Sequence, residues 1–68
     1  MGWYVVFKEG SETLTQIMDD KDDALLVASA LDVRGTDVLC VGPFGRAARS
    51  CGEIKGTELR RVLHKLTE

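Results

Sequence analysis

The chain has 68 residues, of which 44% are apolar, and a formal net charge of −2 at pH 7. This length fits one domain, residues 1–68, and the apolar fraction is typical of a globular chain rather than a disordered one. With one Pro, the chain has no Pro-rich recognition tail, and its two Cys are too few for a miniprotein stabilised by disulfides. The negative net charge disfavours a generic nucleic-acid-binding protein, which is usually basic.

The first predicted element is a β-hairpin over residues 3–18. Residues 3–8 are β-branched and aromatic, which favours a strand. Gly10 suits the turn because glycine adopts a positive φ without steric cost. The partly alternating residues 13–18 then form the return strand.

Both faces of the first predicted strand are apolar. Alternation places Trp3, Val5 and Phe7 on one face, and Tyr4 and Val6 on the other. We therefore expect this strand to be central in a sheet or covered on both sides.

A helix is predicted over about residues 20–34. The acidic run 19–23 is typical of a helix start, since Asp caps free N–H groups and favours the positive end of the helix dipole. A calcium loop is the alternative, but the sixth and twelfth positions counted from the first Asp hold Ala24 and Ala30 instead of Gly and Glu. Gly35 stands where it can end the helix.

The second half of the chain predicts one clear strand and one clear helix. Residues 36–42 are a strand, and residues 43–45 a turn or the start of a loop. Residues 46–53 either return as an edge strand or form an extended loop. Thr57 can cap a final helix over residues 57–67. Its apolar side chains have helical spacing: Leu59, Val62, Leu63 and Leu66.

These elements predict an α+β fold with the order ββαβ(β)α. The sheet has three or four mainly antiparallel strands, and both helices pack on one of its faces. The other face is then left open, and the first helix is apolar over more than half its circumference. We therefore expect self-association. The expected dimer face consists of Trp3, Val5, Phe7, Leu25 and Leu26.

No catalytic residue, metal site or cofactor is predicted. His64 is the only His, and nothing in the sequence brings Cys40 or Cys51 within hydrogen-bond reach of it. The chain has three Cys and His residues in total, whereas a structural zinc site usually needs four ligands. A disulfide between the two Cys is geometrically possible if residues 38–51 form a hairpin, but a cytoplasmic compartment disfavours it.

The charges divide unevenly along the chain. Residues 1–33 hold two basic and seven acidic side chains, a charge of −5, and residues 34–68 hold seven basic and four acidic ones, a charge of +3. The two halves could attract each other between subunits. The basic side chains could also contact phosphates, and the alternative is a solvated helix face with a charged edge. The candidate contacts are Arg46, Arg49, Arg60, Arg61 and Lys65.

Two resemblances to known proteins follow from short motifs. Segments 2–10, 22–28 and 38–43 resemble a class of short bacterial proteins with a Trp-containing hairpin, a helix and a strand ending near Gly. That class has no assigned activity, so the resemblance implies a fold only. Residues 39–44 are similar to the strand end of the sporulation-related repeat, a peptidoglycan-binding domain. This similarity implies alternating strand–helix–strand–strand–helix–strand order and peptidoglycan binding.

The predicted compartment is the cytoplasm, without membrane insertion. No segment reaches the roughly 18 apolar residues needed to span a bilayer, and the N-terminus lacks the basic start of a signal peptide. The sequence thus predicts a small non-enzymatic cytoplasmic module that forms a homodimer or binds another protein. Nucleic-acid binding is the alternative, and peptidoglycan binding is a more remote one.

Overall fold

A computed structural model describes residues 2–44 and 52–66 of the chain. The described elements are β1 (Gly2–Glu9), β2 (Glu12–Met18), α1 (Lys21–Val33), β3 (Asp37–Phe44), β4 (Ile54–Lys55) and α2 (Gly56–Leu66). The strands form one antiparallel sheet with the order β2-β1-β3-β4. The predicted α+β class and the order ββαβ(β)α are confirmed. Neither helix in these two ranges has the length and apolar character required to cross a membrane.

β1 is a central strand, as its two apolar faces predicted. It pairs with β2 in an unbroken register from Trp3–Met18 to Glu9–Glu12, and with β3 on its other side. Gly10 has a φ of +64° in the two-residue turn of the hairpin. This φ suits a type II′ turn, whose twist matches that of the two strands.

The hydrophobic core lies between one face of the sheet and the two helices. Trp3, Val5 and Phe7 are buried there, so they are not available to a second copy as the expected dimer face required. The periodicity could not decide this, because both faces of β1 are apolar. The remaining core residues are Ala24, Ala28, Val41, Ile54, Leu59 and Leu63.

Both ends of α1 are capped where the acidic run and the glycine predicted. The N–H of Asp23 donates to the Asp20 side chain at 2.8 Å, which confirms the helix start. At the other end Gly35 has a φ of +87°. Its N–H and that of the next residue donate to carbonyls three and five residues earlier, at 3.0 and 2.9 Å. This pattern is a Schellman motif, which satisfies the last helical carbonyls.

α1 approaches the sheet through small side chains. Ala24 and Ala28 are fully buried and let the helix axis come close to the strands. Leu25 packs partly against this core, so it is only partly accessible for the dimer face expected from the sequence. Leu26 is 63% exposed, so it is more accessible to a second copy than Leu25 is.

β3 is longer than predicted, since it continues through Pro43 to Phe44 instead of turning after residue 42. Pro43 stands opposite Trp3, which belongs to a hydrogen-bonded pair with β2 and so directs its own backbone groups away from β3. The missing Pro N–H therefore costs no bond to β1.

The fourth strand lies just after the segment predicted as an edge strand. Residues 45–51, most of that predicted strand, lie outside the described residues, and Gly52 and Glu53 are not in a strand. β4 comprises Ile54 and Lys55, which pair with Val41 and Cys40 of β3.

α2 begins at Gly56, so Thr57 lies in its first turn and does not precede the helix as predicted. The φ of +62° at Gly56 lets the chain turn directly from β4 into the helix. Leu59 and Leu63 are buried, as their spacing predicted. Leu66 is 48% exposed, because the last turn of α2 extends beyond the sheet core.

Candidate functional site

The face of the sheet turned away from both helices, called the open face below, carries a distinct set of side chains. Directly opposed residues of neighbouring strands share a face. Since Val5 and Val41 are opposed and both buried under the helices, the alternate positions belong to the open face. These positions are Gly2, Tyr4, Val6, Lys8, Thr13, Thr15, Ile17, Asp37, Cys40, Gly42, Phe44 and Lys55.

Two aromatic rings of the open face lie across glycines of the opposing strand. Tyr4 stands opposite Gly42, and a Cβ at Gly42 would lie 2.5 Å from the Tyr4 hydroxyl oxygen. Phe44 stands opposite Gly2, and its ring fills the space that a Cβ there would need. Each glycine leaves room for an aromatic ring because it has no side chain. The ring in turn shields the backbone of the glycine from solvent.

Tyr4 connects β1 to the segment that leads into β4. Its hydroxyl donates a 2.6 Å hydrogen bond to Oε2 of Glu53, a residue 49 positions later in the chain. Hydrogen bonds to carboxylates are short and stronger than those between neutral groups. The other carboxylate oxygen lies 4.0 Å from Nζ of Lys55, which is largely exposed, so this ion pair adds little.

The two side chains beside this carboxylate, Tyr4 and Cys40, both have raised pKa values. The hydrogen bond to Glu53 raises the pKa of Tyr4 to about 12, and partial burial and the negative charge of Glu53 add to this effect. Burial, followed by the charge of Glu53, also raises the pKa of Cys40. Since the thiolate is the reactive form of Cys, this environment disfavours Cys40 as a nucleophile.

We expect the phenol of Tyr4 to titrate near pH 12, and closer to its ordinary value of 10.0 in Glu53→Gln, where partial burial still raises the pKa but the negative charge is gone. Tyr4 is the only Tyr in the chain, so the near-ultraviolet absorbance of tyrosinate reports this group alone. Because folding raises this pKa, the stabilisation is complete below pH 10 and is lost as the pH rises towards 12. Glu12→Gln, which changes an exposed carboxylate, is the matched control. Equal midpoints in Glu53→Gln and the wild type would contradict the assignment.

The structure does not bring the residues considered for catalysis close to one another. Cys40 lies on the open face, whereas His64 is exposed on α2, on the opposite side of the sheet. Cys51 lies outside the described residues, and Cys40 itself is a free thiol. In the part of the chain that the structure describes, no three Cys, His, Asp or Glu residues form a group that could hold a metal ion.

The basic residues singled out in the sequence lie in two places. Arg60, Arg61 and Lys65 are exposed on α2, while Arg46 and Arg49 lie outside the described residues. Arg60 also lines a cleft of about 130 Å³ together with acidic side chains at the start of β3 and the end of α1. This volume is well below the roughly 300 Å³ at which ligand pockets for drug-sized molecules begin.

Sequence reasoning missed the contacts of Tyr4 with Gly42 and Glu53. One signal was present, because a glycine inside a strand often marks a close approach of another group. No comparable signal points to Glu53, which meets Tyr4 only through the fold.

No protein-family model matches this chain, and neither does any curated protein or solved structure. The order of elements also differs from the one implied by the similarity to the sporulation-related repeat, since β1 is followed by β2 and not by a helix.

Proposed function

We propose that this protein is a small non-enzymatic interaction module that self-associates in the cytoplasm through the part of its sheet that the helices do not cover. The observation that carries the proposal is the apolar character of the open face. Ile17 is 59% and Phe44 39% exposed there, and Tyr4 lies directly opposite Ile17. Contiguous exposed apolar and aromatic side chains are typical of protein interfaces.

The small size of the chain supports the same proposal. A domain of about this length buries only roughly 60% of the surface of its unfolded chain. Both helices lie on one face of the sheet, so no described helix or strand covers the other face. Self-association would bury additional surface.

α1 offers the competing surface, through Leu26. The side chains one turn earlier on that helix, Asp22 and Asp23, are exposed and charged. Ala30 and Val33, one and two turns later, are also exposed, so α1 carries a narrow aliphatic stripe beside these charges. The open face instead has apolar side chains on three adjacent strands, and two of them, Tyr4 and Phe44, are aromatic. We favour the open face because aromatic residues are enriched at protein interfaces.

Sedimentation equilibrium of the wild type is expected to show a dimer that dissociates on dilution. Ile17→Lys should weaken this dimer, because it places a charge within the open face. Leu26→Lys, an equally exposed Leu-to-Lys change on α1, is the matched control and should leave the dimer intact.

A wild type that stays monomeric at high micromolar concentration would refute the proposal. If Leu26→Lys dissociates the dimer and Ile17→Lys does not, α1 is the interface, as Leu25 and Leu26 suggested from the sequence.

Nucleic-acid binding is a second candidate function, favoured by the two-sided character of α2. This helix buries Leu59 and Leu63, and it exposes Arg60, Arg61 and Lys65. Contacts between these side chains and phosphates would give oligonucleotide binding that weakens steeply with added salt. The absence of binding at about 50 mM salt would exclude this candidate.

A further inference from the structure

The sheet has one long free edge. β2 forms one edge with seven residues, whereas β4 forms the other with two residues and continues at once into α2. Among the described residues, a partner strand therefore finds an extended row of backbone groups only along β2.

The backbone groups that point outward from β2 can be assigned from the hairpin. A two-residue turn makes its flanking residues, Glu9 and Glu12, a hydrogen-bonded pair, and such pairs alternate with non-bonded ones along the ladder. The N–H and C=O groups of Thr13, Thr15 and Ile17 consequently point away from β1. All three residues are exposed. Six backbone hydrogen-bonding groups are thus presented along this edge.

The edge also lacks the features that usually prevent strand pairing. Residues 13–18 contain no charged side chain and no Pro, and the register with β1 has no bulge. Natural sheets protect long free edges with Lys, Pro, bulges or a covering element. An unprotected edge of this length is suited to receive another strand.

We propose that two copies of the chain pair β2 to β2, antiparallel, around a two-fold axis at Thr15. This inference rests on the proposed self-association, with a second copy as the partner, and it places the contact along the β2 edge, where the side chains of Thr15 and Ile17 belong to the open face. The two four-stranded sheets would then form one continuous sheet. An antiparallel pair of identical strands has the two-fold symmetry that closed homodimers require.

The register follows from the number of groups it satisfies. Centred on Thr15, it places Thr13 opposite the partner's Ile17 and pairs all six outward groups of each strand. Centring on Thr13 would set Ile17 against β1 of the partner, and centring on Ile17 would set Thr13 against the start of α1. In either case the outward groups of one residue would find no free backbone partner, because Glu9 at the end of β1 already bonds within its own hairpin and Lys21 begins a helix.

The side chains of this register are also compatible. Thr15 meets the partner's Thr15, and Thr13 meets the partner's Ile17, which are β-branched pairs that pack well across antiparallel strands. Glu12 stands opposite the partner's Met18, so no two like charges are directly opposed. The register therefore satisfies the backbone groups of the edge without placing like charges directly opposite each other.

The test uses the self-opposition of residue 15. Thr15→Lys and Thr15→Glu each place like charges across the two-fold axis and should raise the dimer dissociation constant at least about 100-fold. An equimolar mixture of the two variants should recover a dimer, because Lys then faces Glu. Thr15→Val keeps the β-branched shape and the backbone groups, and should dimerise like the wild type. Fluorescence of Trp3, the only Trp and a core residue, checks that each variant is folded.

A second measurement needs no variant. In the wild-type dimer the amides of Thr13, Thr15 and Ile17 should be protected from hydrogen exchange, and dilution to the monomer should remove this protection. A wild type that is monomeric throughout would overturn both this inference and the proposed self-association. A dimer that leaves the three amides unprotected, tolerates both charged variants or is not recovered by the mixture would overturn the edge pairing alone.

Discussion

Replacing Leu59 with Ala is expected to lower the free energy of unfolding by about 2–5 kcal/mol. Leu59 is 2% exposed and lies in the core between α2 and the sheet. Truncation removes its apolar burial and leaves a cavity, because neighbouring side chains relax only partly. For a chain of this length the total stability is about 3–10 kcal/mol. The substitution therefore removes a large share of it.

The measurement is urea unfolding followed by Trp3 fluorescence, which reports on the core. The midpoint should fall while the slope is unchanged, since folded and unfolded states expose similar surfaces in both proteins. Leu66→Ala is the matched control on the same helix, because Leu66 is 48% exposed. Its effect should stay within about 0.5 kcal/mol. Similar losses in both variants would contradict the described packing of α2.

Replacing Ala28 with Leu is expected to destabilise the fold by about 1–3 kcal/mol, although the change adds apolar volume. Ala28 is fully buried where α1 meets the sheet, together with Ala24. A larger side chain must either leave its preferred rotamer or push α1 away from the strands. The small residue is thus a condition for the close approach of this helix.

Ala30→Leu provides the control on the same helix, since Ala30 is exposed. Leu and Ala have similar helix propensities, so its effect should be small. Urea unfolding of both variants distinguishes packing from propensity. If Ala28→Leu were neutral or stabilising, α1 would have to lie farther from the sheet than the structure shows.

Local chemistry made several elements predictable. The acidic run at the start of α1 and Gly35 at its end act through caps that involve only neighbouring residues. The hairpin depends on Gly10 and on two short β-branched segments. In such cases the interactions that decide the conformation lie within a few positions of one another, so the amino-acid pattern is sufficient.

Long-range contacts were not predictable in the same way. The hydrogen bond between Tyr4 and Glu53 joins groups 49 positions apart, and it exists because β3 pairs with β1 on one side and with β4, which follows Glu53, on the other. The extension of β3 through Pro43 also depends on its neighbour, since it requires that β1 direct its backbone groups at that position towards β2. A pattern within one segment cannot contain this information.

The length, the composition and the local patterns by themselves determined an α+β fold, its order of elements and the expectation of one uncovered sheet face. The tertiary structure alone decided which side of β1 that face would be. The alternation of side chains along β1 could not identify the uncovered face, because Trp3, Val5 and Phe7 on one side are apolar and Val6 on the other side is apolar too. The helices cover the side of β1 with the larger total apolar volume, so Tyr4 and Val6 remain on the open face. The order of the strands in the sheet leaves β2 as the free edge.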